Sequence, residues 1–151
     1  MRTLVQNAAT FIPLFLAISV NAQSPTDFTG HWRQQTSSGT QRQLDIEQNG
    51  PSLLVKTIIT NSQGTRRLEV KYLIGGQETS YKGLDGDEFR SSVRWDGSTL
   101  VFETVEHEGG RDIPEKTVWT LLADRNTLQA ARQSAKSAKT TPSLTTYVRQ
   151  P

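Results

Sequence analysis

Histidines and glutamates are the residues of this chain whose types could hold a metal ion or move a proton. The 151 residues include no cysteine and two histidines, and the second histidine lies in Glu106-His107-Glu108. Neighbouring side chains of an extended strand point to opposite faces, so this triplet does not converge on one ion. His31 and His107 are not an i, i+2 or i, i+4 pair, the spacings that bring two histidines to one face of a strand or helix. We therefore expect no metal site and no cofactor.

Hydrolysis is the second chemistry to consider, and no motif for it is present. The sequence contains no Gly-x-Ser-x-Gly, no phosphate loop and no dinucleotide fingerprint. Glu106 is the carboxylate with the most apolar context, since it is in phase with Leu100, Phe102 and Thr104. We expect Glu106 to be a rim carboxylate in water, and no residue to be catalytic. An enzyme that uses Glu106 as acid or base is the less favoured alternative.

Aromatic residues are the strongest indication of a binding site. Several of them share the phase that strand alternation assigns to the interior, which makes either a filled core or a cavity for one small ligand. Polar residues in the same phase, Thr57, Ser91, Thr104 and Thr117, favour water or a partly polar ligand near one mouth. The residues predicted to line the cavity are Tyr72, Phe89, Trp95, Phe102, Trp119 and Arg132, with Arg132 as the partner of an anionic head group.

The elements that position these residues are predicted to be antiparallel strands. From Gln41 onward apolar and polar residues alternate, and turn residues interrupt the alternation every dozen or so positions. This period is typical of strands with one face buried and the other in water. We predict an all-β, antiparallel up-and-down meander of about 8–10 strands, closed or nearly closed into a barrel. A two-sheet sandwich would use the same alternation.

Three of the predicted hairpins share one turn pattern. In each, an Asn or Asp precedes a short polar link, a hydroxyl residue and a returning leucine that should point inward. The third copy lacks glycine, and we expect Asn126 to adopt its left-handed conformation, because asparagine tolerates that conformation well. We also expect Ala123 to point inward with Leu128. The three copies lie at residues 48–55, 95–102 and 123–130.

The opening Phe28-Thr29-Gly30-His31-Trp32, together with a last strand that contains Tyr147 and Arg149, resembles the calycin group of lipocalins, fatty-acid-binding proteins and their bacterial relatives. In lipocalins a Gly-x-Trp begins the first strand, and a late arginine packs over the tryptophan at the base of the barrel. The resemblance implies that Gly30, Trp32 and Arg149 form this base, where a cation stacks on an indole. The repeated hairpins also resemble those of small secreted lipocalin-like proteins of bacteria. The last strand lacks the Arg-x-Tyr by which fatty-acid-binding proteins hold a carboxylate.

Residues 1–22 are predicted to be a secretory signal peptide. Arg2 precedes an apolar run from Phe11 to Val20, and small residues then favour cleavage after Ala22. The run has about half of the roughly 20 apolar residues that a membrane span needs. An anchor helix that stays attached is the alternative. We predict one lipocalin-like domain over residues 23–151, secreted or periplasmic and with no integral membrane segment after cleavage.

The charge pattern excludes some partners and leaves two binding functions open. The 17 basic and 15 acidic residues are interspersed, so there is no electrostatic case for nucleic acid or an anionic membrane. The leading hypothesis is a monomeric, non-catalytic protein that holds a small apolar or amphipathic ligand in its interior. The alternative is a filled-core module that binds a protein or an envelope polysaccharide through loops such as Asp85-Gly86-Asp87.

Overall fold

The computed structural model describes residues 26–151, which fold into ten strands. The predicted signal peptide, residues 1–22, lies outside the described residues. Within residues 26–151 there is no helix of the length and hydropathy that crossing a membrane would need. The strands are β1 (Gly30–Gln34), β2 (Gln41–Asn49), β3 (Ser52–Asn61), β4 (Gly64–Leu73), β5 (Thr79–Lys82), β6 (Glu88–Asp96), β7 (Thr99–Glu108), β8 (Arg111–Leu121), β9 (Thr127–Ser134) and β10 (Ser143–Gln150).

All ten strands belong to one antiparallel sheet that nearly closes on itself. The order is β4-β3-β2-β1-β10-β9-β8-β7-β6-β5, so β1 pairs with β10 and the open seam lies between β4 and β5. Just after β4, the N–H groups of Gly75 and Gly76 donate to the carbonyl of Val93 at 2.8 and 3.0 Å. Farther along the seam, the rings of Tyr72 and Tyr81 meet edge to face. The prediction of an antiparallel meander in a nearly closed barrel is confirmed.

One end of the barrel is filled by the returning leucines of the shared turns. Leu53, Leu100 and Leu128 are completely buried, as the turn pattern predicts, and they belong to one core with Phe28 and Trp32. The indole N–H of Trp32 donates to the carbonyl of Phe28 at 3.0 Å, so the only polar atom of that ring is satisfied. Close packing of these side chains makes this end the closed base of the barrel.

The third turn differs from the prediction in two ways. Arg125, with φ of +55°, adopts the left-handed conformation, so the choice of Asn126 was wrong. The carboxylate of Asp124 accepts the N–H of Asn126 and of Thr127, each at 2.9 Å, and this holds Asn126 out of that conformation. Ala123 is exposed and does not point inward, because β8 ends at Leu121 and the loop begins there.

Candidate functional site: a cavity at the open end

The barrel contains a cavity of about 300 Å³ between the packed base and the opposite, open end. Its wall uses the first residues of β2 and β10, the last residues of β3 and β9, and the loop between β5 and β6. In an antiparallel meander these strand ends all lie at the same end of the barrel. The lining is Arg42, Leu44, Val55, Thr57, Ile59, Leu68, Tyr72, Tyr81, Gly83, Leu84, Asp85, Phe89, Phe102, Glu115, Thr117, Trp119, Ala130, Arg132, Thr145 and Tyr147.

Aromatic rings form one continuous side of the cavity. Phe102 lies between Tyr72 and Trp119, with ring centroids 5.5 and 4.6 Å away. Tyr81 and Phe89 stack with centroids 5.5 Å apart and continue this wall toward the mouth. Such rings offer a large apolar surface with little conformational freedom to lose on binding.

Most of the residues predicted to line the cavity do border it. Tyr72, Phe89, Phe102, Trp119 and Arg132 all lie in the wall. Trp95 does not, because it stacks on Phe28 with centroids 6.2 Å apart and packs against the core of the base. That the five residues hold a ligand stays a prediction.

Arg132, the residue predicted to hold an anionic head group, already has an anionic partner. Its guanidinium forms an ion pair with the carboxylate of Glu115, which also lines the cavity. The Glu115 side chain is only 16% exposed, so its charge is matched within the protein and not mainly by water. A ligand that used Arg132 would have to compete with Glu115.

Arg42 is the cavity cation that sequence reasoning missed. Among the residues that the structure describes, it forms no ion pair with a carboxylate, although it lies in the cavity wall. It is close to Tyr147, whose pKa is raised by burial, while the positive charge of Arg42 offsets part of that rise. Tyr147 therefore keeps its proton at neutral pH, and the pair presents a positive charge beside a hydroxyl group.

The phase of Arg42 was visible in the sequence. It alternates with Leu44 and Ile46 on β2, both of which are buried. Its position two residues before the first buried leucine, at the start of the strand, places it at the mouth and not in the core.

Several polar residues of the interior satisfy one another. The hydroxyl of Ser91, which is 1% exposed, lies 2.7 Å from that of Thr104 and 3.1 Å from the hydroxyl of Tyr81. These groups therefore need neither water nor a ligand, whereas Thr57 and Thr117 line the cavity.

The expectation that Glu106 is a rim carboxylate in water was wrong. The residue is 6% exposed, and Lys136 donates to its Oε1 at 2.8 Å. The loop before β6 also brings Asp85 and Asp87 near it, with one carboxylate oxygen of each of the three residues within 4.8 Å of the others. Glu106 is not in the cavity wall, so its geometry gives no support to an acid or base that acts on a molecule in the cavity.

Both histidines lie on the outer surface and bond to aspartates. The Nδ1 atom of His31 is 2.8 Å from Asp45, and that of His107 is 2.9 Å from Asp112. The bond to His107, followed by the charge of Arg90, lowers the pKa of Asp112, although desolvation opposes both. These pairs link neighbouring strands and do not approach the cavity.

Comparison with known proteins identifies the class of fold. No protein-family model matches the chain, and no curated protein matches it. Among solved structures, secretory abundant heat soluble protein 4 from Ramazzottius varieornatus is similar, with a TM-score of 0.67 and 12% identity over 85% of this chain and 100% of that one. The REP1-NXSQ fatty acid transporter has a TM-score of 0.62 and 15% identity, over 82% and 96%. Human cRBP IV has a TM-score of 0.60 and 20% identity, over 83% and 100%.

These matches cover nearly the whole of each neighbour, so the complete barrel is shared. The fold is that of the calycin-like barrels, as the opening Gly30-His31-Trp32 led us to expect. The identities are too low to show more than the fold.

Proposed function

We propose that this chain is a non-catalytic binding protein that holds one small amphipathic molecule in its cavity. The acidic group of the ligand lies against Arg42 and Tyr147, and its apolar part lies along Tyr72, Phe102 and Trp119. The observation that carries the proposal is an aromatic-walled cavity in which Arg42 has no carboxylate partner among the described residues.

Charge balance supports an acidic ligand. A cation in a half-enclosed cavity loses part of its hydration, and an anion that bonds to it restores the lost interaction. The protonated hydroxyl of Tyr147 adds a donor to the same anion. Each methylene group that leaves water for the cavity adds about 0.8 kcal/mol, so the apolar part of the ligand supplies affinity and Arg42 supplies orientation.

Cavity size supports a small ligand and one molecule per chain. The volume of about 300 Å³ is at the lower end of the range for ligand pockets, which is about 300–1,000 Å³. We therefore expect one molecule per chain.

The two alternative functions have less support. A filled core would have favoured an interaction module that acts through its loops, whereas the interior contains a cavity. An enzyme that uses Glu106 would need that carboxylate to face a substrate, whereas it is bonded to Lys136 and lies outside the cavity wall. Structural neighbours such as the REP1-NXSQ fatty acid transporter and Echinococcus granulosus fatty-acid-binding protein 1 are named as carriers or binders, in keeping with a binding function.

We also propose that the protein acts outside the cytoplasm as a monomer. The apolar run from Phe11 to Val20 and the small residues that precede Gln23 are the support for export. Expression of the full chain with N-terminal sequencing tests it, since export predicts a mature protein that begins at Gln23. Light scattering of the mature protein tests the monomer.

Intrinsic tryptophan fluorescence is the first test of ligand binding. Trp119 lines the cavity, whereas Trp32 and Trp95 pack at the base, so a ligand in the cavity changes mainly the Trp119 signal. We expect titration with an environment-sensitive apolar dye to saturate at one molecule per chain, and a medium-chain carboxylic acid to displace the dye. Trp119→Phe should remove most of the ligand-dependent change in tryptophan fluorescence but keep the saturable dye signal. A panel of apolar and amphipathic molecules without any saturable change would contradict the proposal.

A further inference from the structure

Lys136 connects two parts of the open end of the barrel. It lies in the loop between β9 and β10, and its Nζ is 2.8 Å from Oε1 of Glu106 and 2.7 Å from Oε2 of Glu108, both on β7. The strand β8 lies between β9 and β7 in the sheet, so the lysine side chain crosses over the end of β8. The N–H of Ala135 donates to the carbonyl of Pro114 at 3.0 Å and holds the start of the loop against β8.

The β5–β6 loop adds two more carboxylates at this place. Asp85 and Asp87 approach Glu106, with carboxylate oxygens of all three within 4.8 Å of one another. The pKa of Asp87 is raised by desolvation and by the negative charges of Asp85, Glu108 and Glu106, and Lys136 opposes the rise. Four carboxylates thus meet, and Lys136 is bonded to two of them.

Two arginines close to this group do not offset its negative charge. Arg111 is opposite Glu108 in the register of β7 and β8, yet within the described part of the chain it forms no ion pair with Glu108. Arg132, at the end of β9, is paired with Glu115. Lys136 is therefore the cation that offsets the repulsion between β7 and the β5–β6 loop.

The position of the β5–β6 loop matters to the cavity. Gly83, Leu84 and Asp85 belong to the cavity wall, so movement of this loop away from β7 opens the wall. Two backbone hydrogen bonds lie within the loop. The N–H of Gly83 donates to the backbone carbonyl of Asp87 at 2.9 Å, and the N–H of Gly86 donates to the carbonyl of Gly83 at 3.1 Å. These two bonds close the loop on itself, so repulsion of Asp85 or Asp87 from β7 strains them and makes them open more often as the loop moves outward.

We propose that Lys136 is an electrostatic latch that keeps the β5–β6 loop over the cavity mouth by offsetting the charge of Glu106 and Glu108. When the latch is lost, repulsion among the four carboxylates moves the loop outward and ligand exchange becomes faster. The effect on ligand exchange rests on the proposed binding function, whereas the effect on the loop does not.

Hydrogen exchange at the amides of Gly83 and Gly86 tests the latch without any ligand. We expect Lys136→Met to increase both exchange rates about two- to fivefold, the range that corresponds to an exposed ion pair. Lys139→Met is the matched control, because Lys139 lies in the same loop and makes no ion pair within residues 26–151. Equal rates in Lys136→Met and the wild type, or equal increases in both variants, would overturn the proposal.

Removal of a carboxylate should reverse the effect. In the Lys136→Met background, Glu106→Gln should return the two amides toward their wild-type rates, because it removes one repelling charge. A role of Lys136 in packing alone predicts no such rescue. Asp87→Asn in the otherwise wild-type protein should slow the exchange of Gly83 and Gly86, and this variant keeps the test decisive if Lys136→Met does not fold.

Stopped-flow release of the apolar dye then tests the consequence for the cavity. Lys136→Met should release the dye faster at unchanged stoichiometry, and Lys139→Met should not. If no dye binds to any variant, the proposed function fails, while the amide exchange rates still decide whether the latch exists.

Discussion

The guanidinium of Arg149 lies over the indole ring of Trp32, with its Cζ atom 4.2 Å from the ring centroid. The same guanidinium donates to the carbonyl of Thr29, and its Nε donates to the carbonyl of Arg125 at 3.1 Å. One side chain on the last strand therefore ties the first strand, the base of the core and the β8–β9 turn together. This arrangement seals the base and leaves the opposite end of the barrel for the cavity.

Replacement of Arg149 should destabilise the barrel without affecting the cavity. Arg149→Met keeps much of the apolar stem but loses the cation over the indole and two hydrogen bonds, and we expect the free energy of unfolding to fall by about 1–2 kcal/mol. Urea denaturation measures this loss. Arg149→Lys should recover only part of it, because an ammonium lacks the planar donor fork. An unchanged denaturation midpoint in Arg149→Met would show that the pair does not stabilise the base.

Gly30 makes room for the arginine. A Cβ atom at this position would lie 2.3 Å from Nη1 of Arg149. The backbone has φ of +148°, a conformation that residues other than glycine rarely adopt. We expect Gly30→Ala to lower the free energy of unfolding by about 1–3 kcal/mol, from the clash and the backbone strain together. Gly39→Ala is the control, since a Cβ atom there meets nothing within 4 Å.

Combining Gly30→Ala with Arg149→Ala separates the cost of the clash from the cost of the backbone strain. In that background Gly30→Ala should cost less, because the atom that it strikes is gone. Equal costs of Gly30→Ala in the two backgrounds would mean that backbone strain alone accounts for the glycine.

Asp124 should make the β8–β9 turn sensitive to acid. The hydroxyl of Thr127 and the backbone N–H groups of Asn126 and Thr127 bond to its carboxylate and lower its pKa, although desolvation opposes the shift. A lowered pKa in the folded state means that this carboxylate stabilises the fold above the ordinary aspartate pKa of about 3.9. The stabilisation is lost as the pH falls through the lower folded pKa.

Thermal unfolding at several pH values checks this. Asp124→Ala should unfold at a lower temperature than the wild type at pH 7, and the difference should shrink below pH 4. A difference that stays constant down to pH 2 would indicate that the charge of Asp124 does not contribute.

The alternation of apolar and polar residues and the turn residues predicted most of the fold, because both depend only on residues that are close together in sequence. Leu53, Leu100 and Leu128 follow directly from the repeated turn, since the residue that returns into the core is set by the hairpin itself. One exception, Arg125 in place of Asn126, arose because the side chain of Asp124 accepts the N–H of Asn126. Which of two adjacent residues takes the left-handed conformation depends on that side-chain bond.

The site was harder to predict, because its members meet only through strand register. Glu115 and Arg132 are diagonal neighbours on β8 and β9, and alternation does not set the register that joins them. Lys136 reaches Glu106 from a loop in which no periodic pattern assigns a direction. Tyr81 was missed because β5 has only four residues, too few for an alternation to be recognised.

The most direct test of the account compares an acid and an alcohol of the same chain length in binding to the wild type and to Arg42→Gln. We predict that Arg42→Gln weakens binding of a medium-chain carboxylic acid by about tenfold or more, the equivalent of about 1.4 kcal/mol, and leaves binding of the matching alcohol within about twofold. Arg67→Gln, at an exposed position on β4, is the matched control and should change neither affinity. Equal loss of acid and alcohol, or no loss of either, would contradict the assignment of Arg42 as the group that holds the acidic end of the ligand.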